Sequence, residues 1–81
     1  MYTIEELCEL TGYKKNTLYN LCNDLDIDGI KGKIPGNPGK ALYYELDLTV
    51  LKYYQDMLTK HSKAKAIELT LKFSKGALNG S

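Results

Sequence analysis

The chain contains no arginine, and all eleven of its cations are lysines. A lysine ammonium meets phosphate as a compact point charge, whereas the planar guanidinium of arginine is the group best suited to bidentate reading of guanine. Contact with nucleic acid would therefore rest on phosphates and on side chains other than arginine. Long apolar runs are missing too. No stretch approaches the ~18 residues of a membrane span, and no basic leader followed by an apolar segment opens the chain. A cytoplasmic location with no membrane partner is expected.

Cysteine and histidine are scarce. Cys8 and Cys22 are the only two cysteines, each lies in an apolar helical pattern, and neither has a second ligand pair nearby, which predicts buried reduced thiols. His61 is the single histidine and has no Cys, Asp or Glu at ligand spacing on its helical face, so a surface position at a helix end is expected and no metal. The chain carries no Ser-His-Asp set, no glycine-rich phosphate loop and no inward pair of carboxylates. The protein is thus expected not to be an enzyme and to need no cofactor.

With 81 residues, 43% hydrophobic and 26% charged, the composition describes one globular domain, expected over 1–76 with a frayed tail at 77–81. A domain this small buries a limited fraction of its surface, so a second subunit covering apolar area would help it. Net charge is only +1, and its distribution says more than its sum. Residues 1–30 hold Lys14 and Lys15 against Glu5, Glu6, Glu9, Asp24, Asp26 and Asp28, whereas residues 31–40 hold Lys31, Lys33 and Lys40 with no acid.

Periodicity predicts a mainly α fold with a small β-hairpin. Thr3 and Glu6 form a capping-box pair ahead of a first helix at about 4–10, which Thr11-Gly12 ends. Leu18, Leu21, Cys22 and Leu25 fall within an arc of about 100° and predict a second helix at about 15–25. Two short helices around a glycine turn make a helix-turn-helix candidate. Brief strands at about 30–34 and 41–45 flank Pro35-Gly-Asn-Pro-Gly39 and predict a hairpin over about 30–45 with a loose, exposed tip. Asp47 is expected to cap a third helix at about 48–60, with Lys52, Gln55, Asp56 and Lys60 opposite its apolar stripe. Ser62 is expected to cap a fourth at about 63–75, ending at Gly76.

The second helix carries the most informative surface. Opposite its leucines, Asn16, Asn20 and Asn23 project at about 160°, 200° and 140° from Leu18, flanked by Thr17 and Tyr19. Asparagine costs a helix ~0.5 kcal/mol relative to alanine, so helix stability alone does not select such a row. Its amide complements N6 and N7 of adenine in the major groove, which predicts A·T-containing sites. The plain alternative is polar surface in a proteome tolerant of lysine and asparagine. Lys14 and Lys15 oppose the dipole at the start of this helix, a violation that phosphate contact would compensate. If Asn16 is instead the cap, the helix begins later and the violation largely disappears.

Lys31, Lys33, Asn37 and Lys40 give the hairpin the charge and reach to lie along a phosphate ridge or enter a minor groove. Lysine there also serves solubility and blocks edge pairing. On the fourth helix, Ala64-Ile67-Leu71 and Ala66-Leu69-Phe73 form two nearly opposite apolar stripes. One reading is a homodimer contact through Ala66, Leu69 and Phe73, and the other is that the fold wraps this helix from both sides.

Y-T-I-E-E-L-C-E-L-T-G-Y-K-K-N-T-L-Y-N-L-C, from Tyr2 to Cys22, resembles the opening of the MerR family of winged helix-turn-helix DNA-binding domains. Gly39, Lys40, Ala41, Leu42, Tyr43 and then Asp47-Leu48 match the spacing of that family's wing, and the likeness extends to about residue 73. Many of these positions are shared with phage excisionases. The resemblance implies major-groove recognition by the second helix, wing contacts to flanking backbone and dimeric binding to paired half-sites. Lys14 replaces the family's capping serine, Tyr19-Asn20-Leu21 its R-Y-Y, and Ala41 its wing arginine. The familiar phosphate contacts therefore do not transfer intact, and no small-molecule effector is expected.

These readings converge on sequence-specific binding of double-stranded DNA by a small transcriptional regulator. The rivals are an excisionase-like architectural factor and a protein-interaction module docking through Tyr13, Tyr19 and the fourth helix.

Overall fold

The computed structural model describes residues 1–27, 30–31 and 41–78, with the side chains of 30, 31, 41, 77 and 78 left aside. It is mainly helical, with four helices and little strand: α1 (Ile4–Thr11), α2 (Lys15–Asp24), β1 (Ile30–Lys31), β2 (Ala41–Leu42), α3 (Glu45–Leu58) and α4 (Lys63–Leu78). Among the described residues no helix is long and apolar enough to cross a membrane.

α1 starts as its sequence predicts. Glu6 N–H donates to Thr3 Oγ1 at 3.2 Å while Thr3 N–H donates to Glu6 Oε1 at 3.0 Å, so two orphan amides are satisfied reciprocally. Its C-terminal end is set by Gly12 at φ +82°, the left-handed conformation that costs glycine least, with its N–H donating to the Cys8 carbonyl at 2.8 Å.

The second strand is shorter than the expected 41–45, and 32–34 of the expected first strand lies outside the described residues. β1 and β2 pair antiparallel through two rungs, Ile30 with Leu42 and Lys31 with Ala41, while the tip at 32–40 lies outside the described residues. Two competitors take the rest of the second strand. Tyr43 exchanges both backbone hydrogen bonds with Tyr2, at 2.8 and 2.7 Å, tying the start of the chain to the end of β2. Tyr44 is the N-cap of α3, which begins at Glu45 rather than about 48. Asp47 is therefore not the cap but sits one turn in, where its Oδ2 accepts the Tyr44 N–H at 2.9 Å.

α3 is the hub. Val50, Leu51 and Tyr54 are buried along its centre, together with Ile4, Leu7, Leu18, Leu21, Leu25 and Ile27 from the first half of the chain. Its flanks diverge. One carries Tyr53 against Phe73 of α4, rings stacked 4.2 Å apart and 3° from parallel. The other carries Gln55 to the turn between α1 and α2, so Gln55 is half-buried and not on the solvent face predicted for it.

Ser62 begins α4 as expected, its Oγ accepting the Lys65 N–H at 3.4 Å. Gly76 does not end it. The helix continues to Leu78, because Gly76 keeps a negative φ and glycine stops a helix only by turning left-handed. Ala77 and Leu78 accordingly belong to α4 and not to a tail, and residues 79–81 lie outside the described residues. The buried line of α4 runs through Ala66 and Thr70, both 0% exposed, with Ile67 and Phe73 packed beside it. Thr70 disappears from an apolar wheel, but its hydroxyl donates to the Ala66 carbonyl at 2.7 Å and so enters the core satisfied.

Candidate nucleic-acid interface

α2 is rooted by one face and bare on the other. Leu18, Leu21, Cys22 and Leu25 are at most 5% exposed, whereas Lys15, Asn16, Thr17, Tyr19, Asn20 and Asn23 are all exposed. A 10-residue helix would gain little from propensity with this composition, so its stability comes from the leucine face packed on α1 and α3. Among the described residues, the side chains of Asn16, Asn20 and Asn23 make no hydrogen bond within the protein. Their donors and acceptors are all directed to solvent or to a ligand.

The two ends of α2 are built differently. Lys14 is the N-cap, extended at φ −75° and ψ 155°, and gives no side-chain cap; the first turn holds no acid. Asn16 is inside the helix and is not the cap, so the unfavourable placement of Lys14 and Lys15 at the positive end of the dipole persists. Lys15 is partly offset by Glu5 of α1 at 3.5 Å, an ion pair about half exposed on both sides and therefore a weak one. The C-terminal end closes tightly. Ile27 N–H donates to the Cys22 carbonyl and Asp26 N–H to the Asn23 carbonyl, with Asp26 left-handed at φ 57° and Ile27 buried against Cys22. This is a Schellman closure in which aspartate occupies the usual glycine position.

The angle of α2 is held from outside by Gln55, a residue the sequence reading set on a solvent face. Its Nε2 donates to the Thr11 carbonyl in the α1–α2 turn, and it shares a hydrogen bond with the Tyr13 phenol. Burial raises the Tyr13 pKa above its ordinary value, and the Gln55 bond opposes that rise. The only advance signal was that Gln55 neighbours the apolar stripe of α3 on a helical wheel, at the edge of what such a wheel resolves.

The remaining expected DNA-binding residues have no described side chain. Lys31 is described only by its backbone in β1, and Lys33, Asn37 and Lys40 lie outside the described residues. The dimer contact expected through Ala66, Leu69 and Phe73 is corrected in part. Ala66 is fully buried in its own chain and has no surface for a second chain to cover, and Phe73, half-buried, gives one ring face to Tyr53. Leu69 and Leu71 remain half-buried, and Ala64 is exposed.

Both thiols are free. Burial, reinforced by the charges of Asp47 and Cys8, pushes the Cys22 thiol up to about 11. Among the described residues no three His, Cys, Asp or Glu side chains gather as a metal cluster would. Tyr13, Leu21 and Tyr54 floor a cleft along the Thr17–Asn20 flank of α2. Compared with protein-family models, with curated proteins and with solved structures, the chain matches none of them.

Proposed function

We propose that this protein is a sequence-specific double-stranded DNA binder of the winged helix-turn-helix kind, acting as a small transcriptional regulator in the cytoplasm. α2 is the recognition helix. Asn16, Asn20 and Tyr19 read base edges in the major groove, Asn23 and Thr17 flank them, and Lys14 and Lys15 hold phosphates at the N-terminal end of α2. The short β1–β2 ladder is the base of a wing whose Lys31, Lys33, Asn37 and Lys40 follow the adjacent backbone.

One observation carries this reading: a row of three exposed asparagines without intramolecular partners, on a helix whose start is left uncapped beside two lysines. Stability favours neither feature, and a polyanion with acceptor-rich and donor-rich grooves rewards both. The half-buried Leu69 of α4 is the part of the expected stripe that keeps apolar area for pairing two copies on an inverted repeat.

The test is selection of bound duplexes from a random pool, followed by Asn20→Ala. The substitution should cost ~1–3 kcal/mol on the selected site and little on random duplex. Equal losses on both would remove Asn20 from base reading.

A protein-interaction role is favoured by a different surface. Leu10 is 44% exposed on α1 beside the exposed acids Glu6 and Glu9. Salt separates the two readings, because binding through several lysines weakens steeply as salt rises and an apolar contact does not.

A further inference from the structure

A cleft of about 210 Å³ opens between α2, α3 and the start of α4. That is below the roughly 300–1,000 Å³ of pockets for drug-sized ligands and equals the space of about seven waters at ~30 Å³ each. A nucleotide or flavin is too large for it. The floor is apolar and aromatic, made by Leu21, Leu58 and the rings of Tyr13 and Tyr54.

Tyr54 is only 3% exposed, and among the described residues its hydroxyl has no hydrogen-bond partner. Yet no described buried side-chain oxygen is left unsatisfied, so the hydroxyl keeps some exposure, and Tyr54 lines the cleft. Burial, followed by the charges of Tyr13 and Asp24, raises its pKa and keeps it a protonated donor near neutral pH. The rim carries two opposite charges, Asp24 and Lys63, and among the described residues neither is in an ion pair or side-chain hydrogen bond. They face one cavity without neutralising each other.

We propose that this cleft binds a small zwitterion with an apolar body, of the class of aromatic and branched amino acids. The ammonium lies against the Asp24 carboxylate and accepts no competitor from the protein, with the Tyr13 and Tyr54 rings supplying cation–π attraction. The apolar body covers Leu21 and Leu58, and the carboxylate points to Lys63 and the Tyr54 hydroxyl. A simple amine meets repulsion from Lys63, and a simple carboxylate meets repulsion from Asp24, so the pair of charges selects for both groups together. Thr17 and Asn20 form the α2 side of the same cleft. Occupancy therefore competes with a duplex for these two side chains, a consequence that rests on the DNA-binding reading, whereas ligand binding itself does not.

The experiment is a resonance titration of the isotope-labelled protein with L-phenylalanine, phenethylamine and 3-phenylpropionate. L-Phenylalanine should shift Tyr13, Leu21, Tyr54 and Leu58 saturably, at least tenfold more tightly than either singly charged analogue. Asp24→Asn, an exposed substitution, should weaken it at least fivefold, and Tyr54→Phe at least twofold. The absence of a saturable shift at Leu21 and Tyr54, an equal response to 3-phenylpropionate, or an unaltered Asp24→Asn protein each overturns the site. On the selected duplex, saturating L-phenylalanine should reduce affinity at least threefold. Loss of shifts without loss of duplex binding condemns the cleft alone, and shifts without any duplex binding condemn the DNA reading alone.

Discussion

Gln55→Leu keeps the approximate volume of a half-buried side chain and deletes both of its hydrogen bonds, one to the Thr11 carbonyl and one to the Tyr13 phenol. A net hydrogen bond is worth about 0.5–1.5 kcal/mol, and stranding a buried partner costs about 1–3 kcal/mol. Thr11 and Tyr13 are themselves half-buried, so water reaches part of what is stranded and the lower end of the range applies. The expected loss is about 1–3 kcal/mol for the two bonds together. In a domain of this size 1 kcal/mol moves Tm by about 4–8 °C, so a fall of roughly 4–24 °C follows. Urea unfolding followed by circular dichroism measures it, with the slope against denaturant unchanged. Tyr13→Phe removes only the phenol bond and should cost about half as much. The double variant should lose less than the two single losses combined, because both remove the same contact. A Gln55→Leu protein within about 0.3 kcal/mol of wild type, or strictly additive losses, would refute the tether.

Three further outcomes follow from α2 and its ends. Asp26 occupies a left-handed position, so Asp26→Gly should stabilise by about 0.5–1 kcal/mol and Asp26→Val should destabilise by about 1–2 kcal/mol in the same urea assay. Lys14→Ser supplies the missing cap and should add about 0.5–1 kcal/mol of stability while weakening duplex binding; stability and affinity rising together would contradict the phosphate role of Lys14. The Cys22 thiol is raised in the folded state from 9.0 to about 11, so its contribution is complete below about pH 9 and is lost as pH rises towards 11. At pH 10 the wild type should have lost roughly 1 kcal/mol from this group, a loss that Cys22→Ala removes while the raised tyrosines keep theirs; parallel pH curves for the two proteins would sink the assignment.

The local sequence determines much of this protein. The Thr3–Glu6 box, the glycine turn at Gly12, the leucine face of α2 with its asparagine row opposite, and the Ser62 start of α4 are each encoded within one or two turns of chain. Such features are legible because capping groups, left-handed glycine and a 3.6-residue period act over neighbours only.

What lay beyond those windows was decided by contacts between distant segments. Tyr2 pairs with Tyr43 across 41 positions and takes the strand that alternation alone assigned to the hairpin. Gln55 turns from solvent to the Thr11 carbonyl 44 positions away because that carbonyl, at the end of α1, requires a donor. Ala66 and Thr70 enter the core of their own chain because α3 presents a complementary face there, and a hydroxyl satisfied by its own helix counts as apolar surface once packed. The cleft under Asn20 likewise exists only where α2, α3 and α4 meet, for no window of sequence contains Asp24, Tyr54 and Lys63 together. Periodicity shows which side of a helix seeks burial; only the assembled helices decide what each side meets.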